Sequence, residues 1–181
     1  MKIEKTNIEG VLVLTPNIFG DERGYFFESF NQEKFEKAIG HSITFVQDNQ
    51  SKSQKGVLRG LHFQNPPYEQ GKLVRVINGS VLDIAVDIRK NSSTYGEHFS
   101  LEISSDNQKM IWLPTGMAHG FVALEDDTVF FYKCTNYYNK ESEGSILWND
   151  KDLAIDWKVN NPLLSDKDKE STPFTSFKSQ F

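Results

Sequence analysis

The stretch Val81-Leu82-Asp83-Ile84-Ala85-Val86-Asp87-Ile88 decides the fold class. Leu82, Ile84, Val86 and Ile88 fall on one face and Val81, Asp83, Ala85 and Asp87 on the other, the period of two that an extended strand imposes. Outward from it, short β-rich runs recur at Val57 to Phe63, Lys72 to Ile77, Phe99 to Ile103, Met110 to Leu113, Phe121 to Leu124, Val129 to Thr135 and Ser145 to Trp148. Their number and spacing predict an all-β sandwich or barrel.

The N-terminal part reads as strand, turn and strand, from Val11 to Leu14 and then Tyr25 to Glu28. A short helix is expected over about Gln32 to Ile39, capped by Asn31 or Ser29 and ending before Gly40, with Phe35 and Ile39 on one face. After Asn149 the strand signal fades, and a wrapping tail with short helical turns is expected. With 181 residues and no internal repeat, low-complexity stretch or linker, the expectation is a single domain, 1–181.

Composition excludes several function classes. Hydrophobic residues make up 38%, charged residues 25% and aromatics 13%, a globular rather than a disordered balance. The single Cys134 leaves no disulfide framework, so a cytoplasmic location is expected. Met1-Lys2-Ile3-Glu4-Lys5 lacks the features of a signal peptide, and no run approaches the roughly 20 apolar residues of a membrane helix. A net charge of −5 speaks against nucleic acid as a partner. A small anionic ligand needs only a few cations, and Arg23, Arg59, Lys72 and Arg75 lie near aromatic or glycine-rich stretches.

Two segments carry more polar and glycine punctuation than a structural strand requires. One is Leu58-Arg59-Gly60-Leu61-His62-Phe63-Gln64, followed by Gly71 to Gly79; the other is Leu113-Pro114-Thr115-Gly116-Met117-Ala118-His119-Gly120-Phe121. Their layout is similar to the paired motifs of cupins, whose histidines and acid hold a divalent ion. Here Gln64 stands at the second histidine position and Glu69 sits in a Pro-rich loop, so the ligand set is depleted and no metal is expected.

A histidine freed from a metal can take a proton near neutral pH, since its unperturbed pKa is about 6.5. His62 and His119 are the candidates, whereas His41 and His98, in turn-like surroundings, read as ordinary hydrogen-bonding residues. Tyr132 shares a strand face with Phe130 and Cys134, which suits either core packing or a proton donor held opposite a base. Gln47 and Asn49 share one face of an extended segment and could present their amides together. Asp83 or Asp87 would orient His62 if it lay beside that ring, and would do nothing on an outer face.

Longer phrases carry a more specific likeness. Phe19-Gly20-Asp21-Glu22-Arg23-Gly24, Phe45-Val46-Gln47-Asp48-Asn49, Gly56 to Gln64, Pro114 to Phe121, Tyr132-Lys133, Glu143 to Asp150 and Leu164 to Asp168 together resemble the dTDP-4-dehydrorhamnose 3,5-epimerase family over nearly the whole chain. The resemblance implies a cupin-type jelly roll, or double-stranded β-helix. It also implies a homodimer with sites completed across the interface, a dTDP-sugar substrate and no cofactor. The implied reaction inverts carbons 3 and 5 beside a ketone, whose carbonyl delocalises the carbanion as an enolate.

Residue by residue, the resemblance makes His62 the base, Tyr132 the acid and Asp168 the partner of His62, with Asp83 as second choice. It places Lys72 near the enolate oxygen or the phosphates. Arg23, Glu28, Gln47, Asn49, Arg59, His119, Glu143 and Lys167 are assigned to nucleotide and sugar, some from the partner subunit. Strict alternation puts Arg59 and His62 on opposite faces, so both reach one ligand only if Gly60 supplies a bulge. A carbon-3 epimerase or ketone-shifting enzyme on the same scaffold, and a cupin that binds a nucleotide sugar without turnover, are the alternatives.

Overall fold

The structure, a computed structural model, describes residues 1–181. In chain order its strands are β1 (Lys2–Lys5), β2 (Leu12–Thr15), β3 (Phe19–Asp21), β4 (Gly24–Phe26), β5 (Gln47–Ser53), β6 (Leu58–Gln64), β7 (Lys72–Asn78), β8 (Ser80–Asp87), β9 (His98–Ser104), β10 (Met110–Leu113), β11 (Met117–Ala123), β12 (Thr128–Cys134) and β13 (Glu143–Ser145). Two short helices, α1 (Gln32–Ile39) and α2 (Asp166–Lys169), and a 3-10 turn at Phe174–Ser176 complete it.

Two antiparallel sheets form, with strand orders β1-β2-β10-β7-β12-β5 and β13-β6-β11-β8-β9. From β5 onward the chain alternates between them, with only β8 and β9 consecutive in one sheet, which winds it into a cupin-like jelly roll. Residues of both sheets meet in one core: Val74, Val76, Ile111 and Phe130 face Val81, Ala85, Met117 and Phe121. β8 shows why its sequence is apolar on both faces. Val81 and Ala85 point into this core, while Ile84 and Val86 point outward into a second cluster. The C-terminal tail covers that second face with Leu153, Trp157, Phe174, Phe177 and Phe181.

Helix α1 covers the outer face of the other sheet. The Asn31 side chain accepts from the Lys34 amide, and Gly40, at φ 82°, ends the helix in the left-handed region that glycine adopts without cost. Phe35 is buried against Trp112 and Phe45, with ring centroids 5.2 and 5.5 Å away. Burial of such a side chain contributes about 1.5–3 kcal/mol.

Three segments add to or depart from the sequence reading. The charged Lys2–Lys5 segment forms an edge strand because pairing with β2 supplies what its weak β propensity lacks. The Pro114 to His119 phrase is a turn only to Gly116, after which β11 has already begun. His98 opens β9 rather than sitting in a turn.

The acids of β8 also have roles other than those expected. Asp87 is fully buried and accepts hydrogen bonds from the Arg89 amide (3.0 Å) and guanidinium (2.9 and 2.7 Å), Ser92 Oγ (2.6 Å) and Thr94 Oγ1 (2.7 Å). It therefore organises the 88–94 turn instead of touching a histidine. Burial raises its pKa, but these bonds prevail and bring it down to about 2. A depressed carboxylate stabilises the fold fully above its unfolded pKa and loses that contribution as pH falls through the folded one. Asp87→Asn is thus expected to cost ~2 kcal/mol at pH 7. The gap from wild type should close between about pH 4 and pH 2, as urea unfolding at several pH values would reveal.

The hairpin β3–β4 pairs with neither sheet, and Phe19, Tyr25 and Phe26 on it are exposed, Phe26 by 71%. No helix is long and apolar enough to cross a membrane.

Candidate active site

A cavity of about 560 Å³ opens between the sheets, within the range of small-molecule sites. His62 and Arg59 reach it from β6, His119 from β11, Lys72 from β7, Tyr132 from β12 and Asn49 from β5. Asp168 from α2 lies behind His62.

A bulge in β6 puts Arg59 and His62 on the same side. His119 of β11 pairs with His62, and Phe121, two residues on, pairs with Arg59, three residues back. One extra residue is therefore accommodated at Gly60-Leu61, and Leu58, Leu61 and Phe63 all turn outward. Glycine is required here, because φ is +139° and a Cβ would stand 2.4 Å from Gly120 Cα.

His62 Nε2 lies 2.6 Å from Asp168 Oδ1. Asp168 is 2% exposed, and its other oxygen accepts from Ser165 Oγ at 2.6 Å. Ser165 also caps α2 by accepting the Asp168 amide. Burial alone would raise the Asp168 pKa; the hydrogen bonds from His62 and Ser165 outweigh it and hold the carboxyl below its usual range. An ionised Asp168 accepts Nε2–H, so the lone pair of a neutral His62 resides on Nδ1.

Asp83 belongs to His119, not to His62, and so replaces neither Asp168 nor its bond. Its Oδ2 lies 2.9 Å from His119 Nε2, and both side chains are buried. Two carboxyl–imidazole pairs therefore stand side by side on the five-stranded sheet.

The six-stranded sheet presents the opposite chemistry. Lys72 pairs in register with Cys134, which places its ammonium 5.8 Å from the centroid of the Tyr132 ring. Burial, with a smaller push from Cys134, raises the Tyr132 phenol to about 12, so it stays protonated and able to donate. Burial pulls the Lys72 pKa down, opposed by Cys134, Asp83 and Glu143.

Other residues singled out in the sequence gather near the rim or lie apart. Gln47 Nε2 donates to Asn49 Oδ1 at 3.0 Å, and Gln47 Oε1 accepts from the Tyr138 amide. Glu143 is paired with Lys167 and accepts from the Tyr138 hydroxyl. Arg23 is paired with Asp21 on the exposed hairpin, and Glu28 lies 2.7 Å from Lys34 Nζ. Neither lines this cavity. Gln50, Ser51, Leu163, Leu164 and Ser165 also line it, and the sequence reading assigns none of them a role of its own. Only Ser165 carried a sequence signal, as an N-cap three residues before Asp168.

No three His, Cys, Asp or Glu side chains converge as a metal-ligand set. Gln64, at the second cupin histidine position, is engaged by the loops: its amide nitrogen donates to the Tyr68 and Tyr137 carbonyls, and its oxygen accepts from the Asn139 amide.

Fold and site together define an isomerase of the cupin class, with imidazole and phenol on opposed sheets of one barrel. Residues 5–176 match the model of the dTDP-4-dehydrorhamnose 3,5-epimerase family, and the chain belongs to that family. It is 55% identical over 174 residues to dTDP-4-dehydrorhamnose 3,5-epimerase of Shigella flexneri, covering 96% of each chain. The crystal structure of the enzyme of that name from Elizabethkingia anophelis superposes with a TM-score of 0.93 at 49% identity, covering 97% of both chains. A dTDP-6-deoxy-D-glucose-3,5-epimerase from Legionella pneumophila, in complex with dTDP-4-keto-L-rhamnose, gives 0.94 at 46% identity, covering 98% of this chain and 94% of its own.

Proposed function

We propose that this enzyme converts dTDP-4-dehydro-6-deoxy-D-glucose to dTDP-4-dehydro-L-rhamnose by inverting carbons 3 and 5. The observation that carries the mechanism is the placement of His62 and Tyr132 on opposed sheets around one cavity. His62 Nδ1 takes the proton from the carbon beside the ketone, and the C–H electron pair moves into the carbonyl as an enolate. Asp168 holds the ring and stabilises the imidazolium that forms. Lys72 faces the enolate oxygen, where a fixed cation in a water-poor pocket is worth several kcal/mol. Tyr132 then gives its proton to the opposite face of the carbon, and base and acid are reset by proton exchange with water. Each inversion is redox-neutral and requires no cofactor.

Arg59, Asn49 and His119, with Gln47, Glu143 and Lys167 around the rim, hold the nucleotide and sugar. The functional unit is a homodimer in which the hairpin Phe19–Phe26 brings Arg23, and the segment after it Glu28, to the partner's cavity. The unpaired hairpin and its exposed aromatic side chains support this reading. The single cysteine supports a cytoplasmic location. Turnover in deuterated water is expected to introduce deuterium at both carbons, as NMR would record. Exchange at carbon 3 alone would replace this proposal with a monoepimerase.

A further inference from the structure

Asp83 takes no part in the proton transfers of His62 and Tyr132, yet it is among the most deeply buried acids in the chain, at 1% exposure. A buried carboxyl without a purpose is costly, since each unpaired oxygen loses its hydration. Oδ2 is bonded to His119, but Oδ1 is buried with no hydrogen-bond partner. β8 directs this side chain into the space between the sheets, in line with the core residues Val81 and Ala85, and Asp83 pairs in register with Phe121, which lines the cavity.

We propose that Asp83 is a positioning residue for the enolate-stabilising side of the site. Its Oδ2 fixes the His119 ring, and its uncommitted Oδ1 supplies the counter-charge that keeps the ammonium of Lys72 in place across the cavity. This role rests on the proposed reaction.

The Lys72 ammonium makes no hydrogen bond or ion pair, so its charge depends on groups at longer range. Those are Tyr132 and Cys134 on β12, Glu143 on β13, the two imidazoles on β6 and β11, and Asp83 on β8. Glu143 is already paired with Lys167 and Cys134 is held toward its neutral thiol by burial, which leaves Asp83 as the acid not neutralised by a cation. At His119, an Nε2–H directed at Asp83 leaves Nδ1 as an acceptor for a sugar hydroxyl. One carboxyl thereby sets two neighbours, much as Asp168 sets one.

Asp83→Asn retains shape and removes the charge. Its kcat is expected to fall at least about 10-fold at pH 8 with KM changed less than about threefold, the signature of an interaction made in the transition state. The alkaline limb of the kcat–pH profile should move to lower pH, because Lys72 without its counter-charge deprotonates earlier. A purely structural role would lower stability and leave that limb where it is. Nitrogen-15 NMR of wild-type His119, which needs no variant to fold, should show the proton on Nε2. A proton on Nδ1 in its place, or an Asp83→Asn enzyme with unchanged kcat and pH profile, overturns the role of Asp83. Deuterium exchange by the wild type is the control: an unmodified protein that exchanges neither carbon overturns the reaction itself, whatever Asp83 does.

Discussion

His62→Ala is expected to lower kcat about 10³-fold, within the range of 10² to 10⁴ that a positioned general base contributes, while KM for the dTDP-sugar changes little. The site loses the ring, but Asp168 keeps its bond to Ser165 and its position on α2, so the tail should remain docked. Deuterium uptake at carbons 3 and 5 should fall with turnover, because abstraction precedes every later step. The structure makes this a sharp test, since His119 is a second imidazole beside a carboxyl on the neighbouring strand. Turnover within a few-fold of wild type would transfer the role of base to His119. The two differ in access: the His62 side chain is 31% exposed within the cavity, against 7% for His119. That difference favours His62 as the group that meets a substrate.

Tyr132→Phe separates proton removal from proton return. The phenol is held protonated, with its pKa raised to about 12, so removal of its oxygen deletes a donor and leaves the base intact. The ring itself should stay in place, because its contacts are with Phe130, at 6.0 Å between centroids, and with the Lys72 ammonium above it. The variant is expected to exchange substrate protons with deuterated water at a rate comparable to wild type. His62 would abstract, exchange and return the deuteron to the same face. Inverted product should nevertheless fall ~10²-fold or more, the loss associated with a general acid. Product formation near the wild-type rate, measured by NMR of the sugar, would mean that another donor reaches the opposite face.

The residue pattern is informative wherever neighbours along the chain suffice. Alternation in Val81 to Ile88 gives the strand and its two acids on one side, and Asn31 and Gly40 bracket α1 because capping is satisfied within a turn. The glycine-punctuated phrases around His62 and His119 mark the site, and their length and order carry the family. Tyr132 stayed undecided at that level, since its strand position suits a core residue equally well.

What those patterns leave open depends on register and docking between distant segments. Asp168, assigned to His62 by the family likeness and not by any local pattern, meets it across 106 residues because α2 packs against β6. Asp83 goes to His119 rather than His62 because β8 lies beside β11 and not beside β6. The bulge at Gly60 reverses the face parity that simple alternation assigns to Arg59. Periodicity is a property of single strands, whereas these pairings are set by which strands adjoin and by the shared core that holds the sheets together.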